Sequence, residues 1–140
     1  MGLFDLFKSG GRGSIWKHFT HPDFRQRRHR FAILVTTIVA IVITVGALSP
    51  INLPQGPSGS DKLHHLLAFA TLVFPASLIF PRAMIYVLPG AVLLGGLIEV
   101  VQPSVGRHGE FVDFAADLGG VGIGVLSGLV FRNIVKAYIR

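Results

Sequence analysis

Hydrophobic residues concentrate in four stretches of the chain, and short polar segments separate each stretch from the next. The stretches cover residues 31–48, 63–80, 83–102 and 111–131. A helix needs about 20 mainly apolar residues to cross a bilayer, with about 17 as the lower limit. The pattern therefore predicts four membrane-spanning helices.

Prolines refine this prediction. Pro75 and Pro89 lie inside the second and third stretches, where neighbouring helices can satisfy the backbone groups that a proline leaves free. They predict kinks instead of breaks. Only Pro81 and Arg82 separate these two stretches, so we expect a tight helical hairpin. The predicted fold class is an all-α membrane protein, a bundle of four transmembrane helices with kinked second and third helices.

The composition supports a membrane protein and excludes several kinds of site. Hydrophobic residues make up 51% of the 140 residues, charged residues only 14%, and the mean hydropathy is +0.61. A soluble domain carries about 25% charged residues. Cysteine is absent, which excludes disulfides, thiolate metal ligands and cysteine nucleophiles.

Lys and Arg residues are unevenly distributed between the two sides of the predicted bundle. Eleven of the 13 lie before the first stretch, between the second and third, or after the fourth. Only Lys62 and Arg107 lie in the other two loops. Positively charged loops favour the cytoplasm, so we expect both termini there. The predicted organisation is a basic cytoplasmic tail at 1–30, a transmembrane domain at 31–131 and a basic cytoplasmic tail at 132–140.

The basic N-terminal tail has a simple explanation in this orientation. Its charge needs no nucleic-acid partner, because the bias of positive residues toward the cytoplasm already accounts for it. About 30 residues precede a long first apolar stretch, so we expect a retained membrane span there and not a cleaved signal peptide.

With this orientation, the polar residues at the ends of three stretches fall at one membrane depth, near the outer face. Asp61 and His65 open the second stretch four residues apart, so they share a helix face. We expect the Asp61 carboxylate to orient the His65 imidazole, and Ser60 or Asp61 to cap the helix. Charged groups near hydrocarbon are costly and usually functional, so this layer is the predicted site.

Glu99 and Gln102 close the third stretch on a shared face. The helix dipole disfavours a carboxylate at a helix C-terminus, so Glu99 needs a cationic partner or a proton. Arg107 and Lys62 are the nearest cations in the predicted topology. Two glycines flank the segment with Arg107 and His108, so we expect this loop to fold over the bundle. Either Arg107 then bridges the carboxylates, or some of them are protonated.

Asp113 and Asp117 open the fourth stretch, again four residues apart. The same face continues as Gly120, Gly124 and Gly128. Small residues at every fourth position allow helices in a bilayer to approach closely. We therefore expect the fourth helix to press its acidic, glycine-rich face against its neighbours.

These polar residues resemble the VanZ-like family of small bacterial membrane proteins. The resemblance covers about residues 31–131 and depends on the order and spacing of the polar positions. They are Asp61-Lys62-x-x-His65, Glu99-x-x-Gln102, Arg107, Asp113, a polar residue at 117, and Gly120 and Gly124. The family usually has Asn in place of Asp117 and often Tyr in place of Phe69. Asp117 accepts hydrogen bonds but lacks the amide donor.

The resemblance implies a multi-pass protein of the bacterial cytoplasmic membrane with a link to glycopeptide antibiotic resistance, for example to teicoplanin. These drugs act on lipid-linked cell-wall precursors at the outer face of the membrane. The expected partners are therefore the lipid bilayer and either such a precursor or a glycopeptide.

The residues leave three functions open. In a ligand-binding protein, Lys62, His65 and Arg107 would meet anionic groups, and the carboxylates would meet cationic or hydroxyl groups. In an intramembrane hydrolase or transferase, His65 would be the general base and Glu99 the acid, although no Cys or adjacent Ser provides a nucleophile. In an accessory subunit of a larger complex, the polar layer would be structural and the glycine face would contact another membrane protein.

No cofactor or metal is predicted. A divalent ion held by His65, Glu99, Asp113 and Asp117 is chemically reasonable. However, these residues show no recognisable ligand spacing.

Overall fold

The computed structural model describes residues 22–49, 59–107 and 109–139. Its helices are α1 (Pro22–Leu48), α2 (Ser60–Ile79), α3 (Met84–Val101) and α4 (Phe111–Ile139). Short 3-10 turns follow α2 at Pro81–Ala83 and α3 at Gln102–Val105. The described residues contain no strand. Each of the four helices is long and apolar enough to cross a membrane, which confirms the predicted all-α four-helix bundle.

Two helices extend beyond the predicted spans. α1 begins at Pro22, because proline is favourable at a first helical position and the following Arg and Gln residues are good helix formers. α4 continues to Ile139, since neither Gly nor Pro follows Gly128 to end it. The segments at 22–30 and 132–139 are therefore ends of helices that carry basic residues. The other residues of the two predicted tails lie outside the described residues.

Both internal prolines are accommodated without breaking a helix. α2 is continuous through Pro75 and α3 through Pro89, as expected for prolines in membrane helices. The turn Pro81–Ala83 joins these two helices, as the predicted hairpin requires. Bending of the helices at the two prolines stays a prediction.

α2 is the central helix of the bundle. It contacts each of the other three helices, and α4 most extensively. Its buried residues Phe69, Leu72, Val73 and Ala76 form the core together with the inner face of α3. α1 is peripheral, because Ala32 is the only fully buried residue among those of α1 whose burial the structure describes.

The contact between α2 and α4 depends on glycines. Gly120, Gly124 and Gly128 of α4 lie directly against the backbone and side chains of α2. Added Cβ atoms would overlap the carbonyl oxygens of Leu66 and Ala70 and the hydroxyl of Ser77. The Ser77 hydroxyl also donates to the carbonyl oxygen of Gly124 at 3.2 Å. The glycine face of α4 is thus covered by α2, so a partner protein would have to bind a different surface of the bundle.

Arginine side chains bind the C-terminal end of α2. Arg28 of α1 donates to the carbonyl oxygen of Ile79. Arg132 of α4 donates to the carbonyl oxygens of Leu78 at 3.1 Å and Ile79 at 3.3 Å. The last carbonyls of a helix have no partner within it, and the helix dipole favours cations there. Basic residues at this end therefore hold three helices together.

Replacing Gly124 with Ala should destabilise the bundle, because the new methyl group would overlap the Ala70 carbonyl and the Val73 side chain. We expect a loss of about 1–3 kcal/mol in the free energy of unfolding, measured in mixed detergent micelles. Gly122→Ala is the matched control, since its Cβ would meet nothing within 4 Å. That variant should be neutral or slightly more stable. Equal stability of the two variants would contradict the proposed close packing.

Candidate functional site

The first turns of α2 and α4 and the last turn of α3 meet at one end of the bundle. The polar cluster, as we call it, consists of the polar side chains that these turns bring together and of Glu110 in the loop before α4. Its members are Lys62, His65, Glu99, Gln102, Glu110, Asp113 and Asp117. Asp61 is exposed and lies outside it, and Arg107 contacts another part of the chain.

His65 pairs with Asp117 and not with Asp61. Its Nδ1 atom lies 2.9 Å from Oδ1 of Asp117 and 3.9 Å from Oε1 of Glu99. Asp117 is only 1% exposed. The expected orientation of His65 by Asp61 is wrong, because the close contact between α2 and α4 brings the deeper carboxylate within hydrogen-bonding distance.

The expected helix cap at Ser60 or Asp61 is also wrong. The N-cap of α2 is Gly59, which has a φ of 94° and provides no side-chain hydrogen bond. Glycine adopts this left-handed conformation at little cost, so the helix begins one residue earlier than a cap at Ser60 would allow. Asp61 then lies within the first turn, where its side chain points to solvent.

A backbone amide anchors Glu99 where a cation was expected. The amide nitrogen of Glu110 donates to Oε2 of Glu99 at 2.8 Å. The loop makes this contact because Gly106 adopts a left-handed conformation with φ of 78°. Gly109 then packs so closely on the Glu99 carbonyl that a Cβ would overlap it. The loop thus folds back onto the end of α3, while His108 lies outside the described residues.

Lys62 forms two ion pairs within the cluster. Its Nζ atom lies 3.1 Å from Oε2 of Glu110 and 3.5 Å from Oδ1 of Asp113. Sequence reasoning missed Glu110 because it precedes the fourth apolar stretch. The signal available was its position: an acidic residue directly before a helix begins lies beside the first turn of that helix.

Arg107 does not bridge the carboxylates, so this expectation is wrong. Its guanidinium donates to the carbonyl oxygens of Gly46 at 3.2 Å and Ala47 at 3.1 Å, in the last turn of α1. These carbonyls have no partner within their own helix. Because α1 ends at the same end of the bundle, a guanidinium can satisfy them and complement the helix dipole.

The polar cluster contains four buried side-chain oxygens without a hydrogen-bond partner. They are Oε1 of Glu99, Oε1 of Gln102, Oδ1 of Asp113 and Oδ2 of Asp117. Asp113 has only the ion pair with Lys62 at 3.5 Å. Buried polar groups are almost always paired, so these four oxygens are the acceptors that a bound donor or cation would satisfy.

Gly95 of α3 makes room for the Asp117 carboxylate. A Cβ atom at this position would lie 2.8 Å from Oδ2 of Asp117 and 3.4 Å from the ring of Phe114. Contacts below 3.0 Å do not occur without displacing a neighbour. Glycine on α3 therefore lets the Asp117 carboxylate occupy the interface between α3 and α4. No role for Gly95 was predicted from the sequence.

The chemistry of the cluster favours hydrogen-bond donors and cations. Four carboxylates face Lys62 and His65, so acceptors are in excess. Among the described residues, no hydroxyl group bonds to His65, so the imidazole has no hydroxyl nucleophile to activate. One imidazole and two carboxylates, from His65, Glu99 and Asp117, bring ligand atoms within 4.8 Å of one another. This arrangement could hold a metal ion.

No protein-family model, curated protein or solved structure matches the chain. The VanZ-like resemblance therefore stays a prediction that depends on the polar residues and their spacing.

Replacing Arg107 with Ala should destabilise the protein by about 1 kcal/mol, because the last carbonyls of α1 would lose a charged donor. The measurement is thermal or detergent-induced unfolding of the purified protein. Arg82→Ala is the control, since Arg82 is exposed in the turn at the opposite end. A loss of stability limited to Arg82→Ala would contradict the contact between Arg107 and α1.

Proposed function

We propose that this chain is a VanZ-like protein of the bacterial cytoplasmic membrane, with both termini in the cytoplasm and the polar cluster at the outer face. The cluster binds an ammonium or hydroxyl group of an envelope ligand, which is either a lipid-linked cell-wall precursor or a glycopeptide. The observation that carries this proposal is the set of four buried oxygens without a hydrogen-bond partner, which belong to Glu99, Gln102, Asp113 and Asp117. The Asp113 oxygen has in addition the ion pair with Lys62.

The energetic cost of these oxygens supports a binding role. Each buried polar group without a partner costs about 1–3 kcal/mol. A layer that served only to join the helices would be expected to pair its own groups, since unpaired groups weaken the packing that it provides. Unpaired acceptors are instead the groups that a ligand with N–H or O–H donors would satisfy.

The position of the cluster agrees with a ligand that is anchored in the membrane. His65 and Asp117 lie about one helical turn inside the ends of α2 and α4, at the depth where headgroups meet hydrocarbon. In the proposed orientation, Arg28, Arg82 and Arg132 lie at the cytoplasmic end. The cluster then faces the leaflet in which glycopeptides meet lipid-linked precursors.

The orientation can be tested with single cysteines, because the natural chain has none. Ser104 is exposed beside the polar cluster, and Tyr138 is 89% exposed near the end of α4. In intact cells, a membrane-impermeant thiol reagent should label Ser104→Cys and not Tyr138→Cys. Both should be labelled after the cells are permeabilised. The reverse pattern in intact cells would place the cluster in the cytoplasm and overturn the proposal.

Binding can be tested through teicoplanin susceptibility. Cells that express the chain should survive a higher teicoplanin concentration than cells with an empty vector. Glu99→Gln should abolish this difference, because it removes the charge that faces His65 and weakens the acceptor. Asp61→Asn is the matched control, since it removes an exposed carboxylate at the same end.

Membrane expression of the three proteins must be equal in this comparison. Resistance that the control retains and Glu99→Gln loses would support the proposal. The same susceptibility with the parent chain and with the empty vector would overturn the glycopeptide link.

A further inference from the structure

We propose that His65, Glu99 and Asp117 bind a divalent transition-metal ion. This inference deepens the proposed function, because it uses the same polar cluster. The identity of the ligand that contacts the bound ion rests on the proposed function. The binding of the ion itself depends only on the three side chains.

The geometry of the three side chains is close to that of a metal site. Around an ion with bonds of about 2.0–2.2 Å, neighbouring ligand atoms in a tetrahedral site lie about 3.4 Å apart. Nδ1 of His65 lies 2.9 Å from one carboxylate oxygen and 3.9 Å from the other. Small side-chain rotations therefore convert the observed arrangement into a coordination shell.

Two unpaired oxygens belong to these ligands. Oε1 of Glu99, which faces His65, has no hydrogen-bond partner, and neither has Oδ2 of Asp117. Asp117 is almost fully buried, so bulk solvent does not reach its free oxygen. A cation bound by Nδ1 of His65, Oε1 of Glu99 and the Asp117 carboxylate would replace the hydrogen bond between His65 and Asp117. Bidentate binding by Asp117 would also satisfy its Oδ2.

A fourth donor lies close to the proposed ligands in the sequence. Gln102 follows Glu99 by three residues, is 2% exposed, and has an unpaired side-chain oxygen. An amide oxygen can coordinate a cation or hold a water that does so. Its burial without a partner at the same end of α3 is an observation independent of the carboxylates.

The ligand types indicate the class of metal. Imidazole suits zinc, iron, nickel and copper, whereas carboxylates suit manganese, magnesium and calcium. One imidazole with two carboxylates therefore points to Zn²⁺ or Mn²⁺. Three protein ligands leave a coordination position open. A phosphate or hydroxyl oxygen of an envelope ligand could occupy this position. The carboxylates alone would repel a phosphate, so a phosphate would bind only through the metal ion.

Sequence spacing could not indicate this site. His65 is on α2, Glu99 on α3 and Asp117 on α4, so each helix contributes one ligand. Common metal motifs place two ligands on one element at short spacing. Only the packing of three helices creates the set.

Metal binding can be measured on the full-length protein, purified in detergent and freed of metal with a chelator. Titration calorimetry with Zn²⁺ and with Mn²⁺ should show one site per chain for at least one ion. Glu99→Gln and Asp117→Asn should each weaken binding at least about tenfold. Loss of a residue that only hydrogen-bonds to a metal ligand already weakens binding by about this factor. Thermal unfolding should shift upward with metal in the parent and not in these variants.

Two control variants separate this site from surface binding. His64→Ala removes an exposed imidazole next to His65, and Asp61→Asn removes the exposed carboxylate. Both should bind metal as the parent does. Loss of binding in these controls with retention in Glu99→Gln and Asp117→Asn would overturn the assignment. If a variant does not fold, the parent chain still tests the proposal. No binding of either ion by the parent chain at millimolar metal would overturn the metal site.

Failure of this inference can be told apart from failure of the proposed function. Metal binding is measured without any envelope ligand, and the susceptibility assay is read without added metal. A parent chain that confers resistance but binds neither ion would overturn the metal site alone. A chain that binds metal without conferring resistance would support the metal site and overturn the glycopeptide link.

Discussion

The close contact between α2 and α4 determines where the polar residues meet. Gly120 lies against the carbonyl oxygen of Leu66, directly after His65 in the sequence. Asp117 is three residues before Gly120, so the contact brings it beside His65, where the two side chains form a 2.9 Å hydrogen bond. A larger residue in α4 would separate the helices and with them the two groups. The packing of small residues, which has no chemistry of its own, therefore builds the candidate site.

A second constraint concerns the arginines. Arg28 and Arg132 bind the end of α2, and Arg107 binds the end of α1. Carbonyl groups at helix ends need donors wherever water is scarce, and a guanidinium offers several in a rigid fork. Since Arg107 is used in this way, the carboxylates of the polar cluster share, among the described residues, Lys62, His65 and one backbone amide. The resulting excess of acceptors is the basis of the proposed binding role.

The loop between α3 and α4 links these constraints. Gly106 turns the chain back, and Gly109 allows it to lie on the carbonyl group of Glu99. This path presents the Glu110 amide to the Glu99 carboxylate and the Glu110 side chain to Lys62. Glu99 is thereby held in place at a helix C-terminus, where the helix dipole alone would disfavour it. One of its oxygens remains free beside His65.

The sequence by itself determined the four helices, the approximate limits of α2 and α3, and the end of the bundle where polar residues gather, because hydropathy and proline positions act locally along the chain. It also indicated the glycine face of α4, since a spacing of four residues is a local property. Only the tertiary structure decided the pairing of His65 with Asp117, the use of Arg107 on α1, and the roles of Glu110 and Gly95. These depend on distances between helices, which no local pattern encodes.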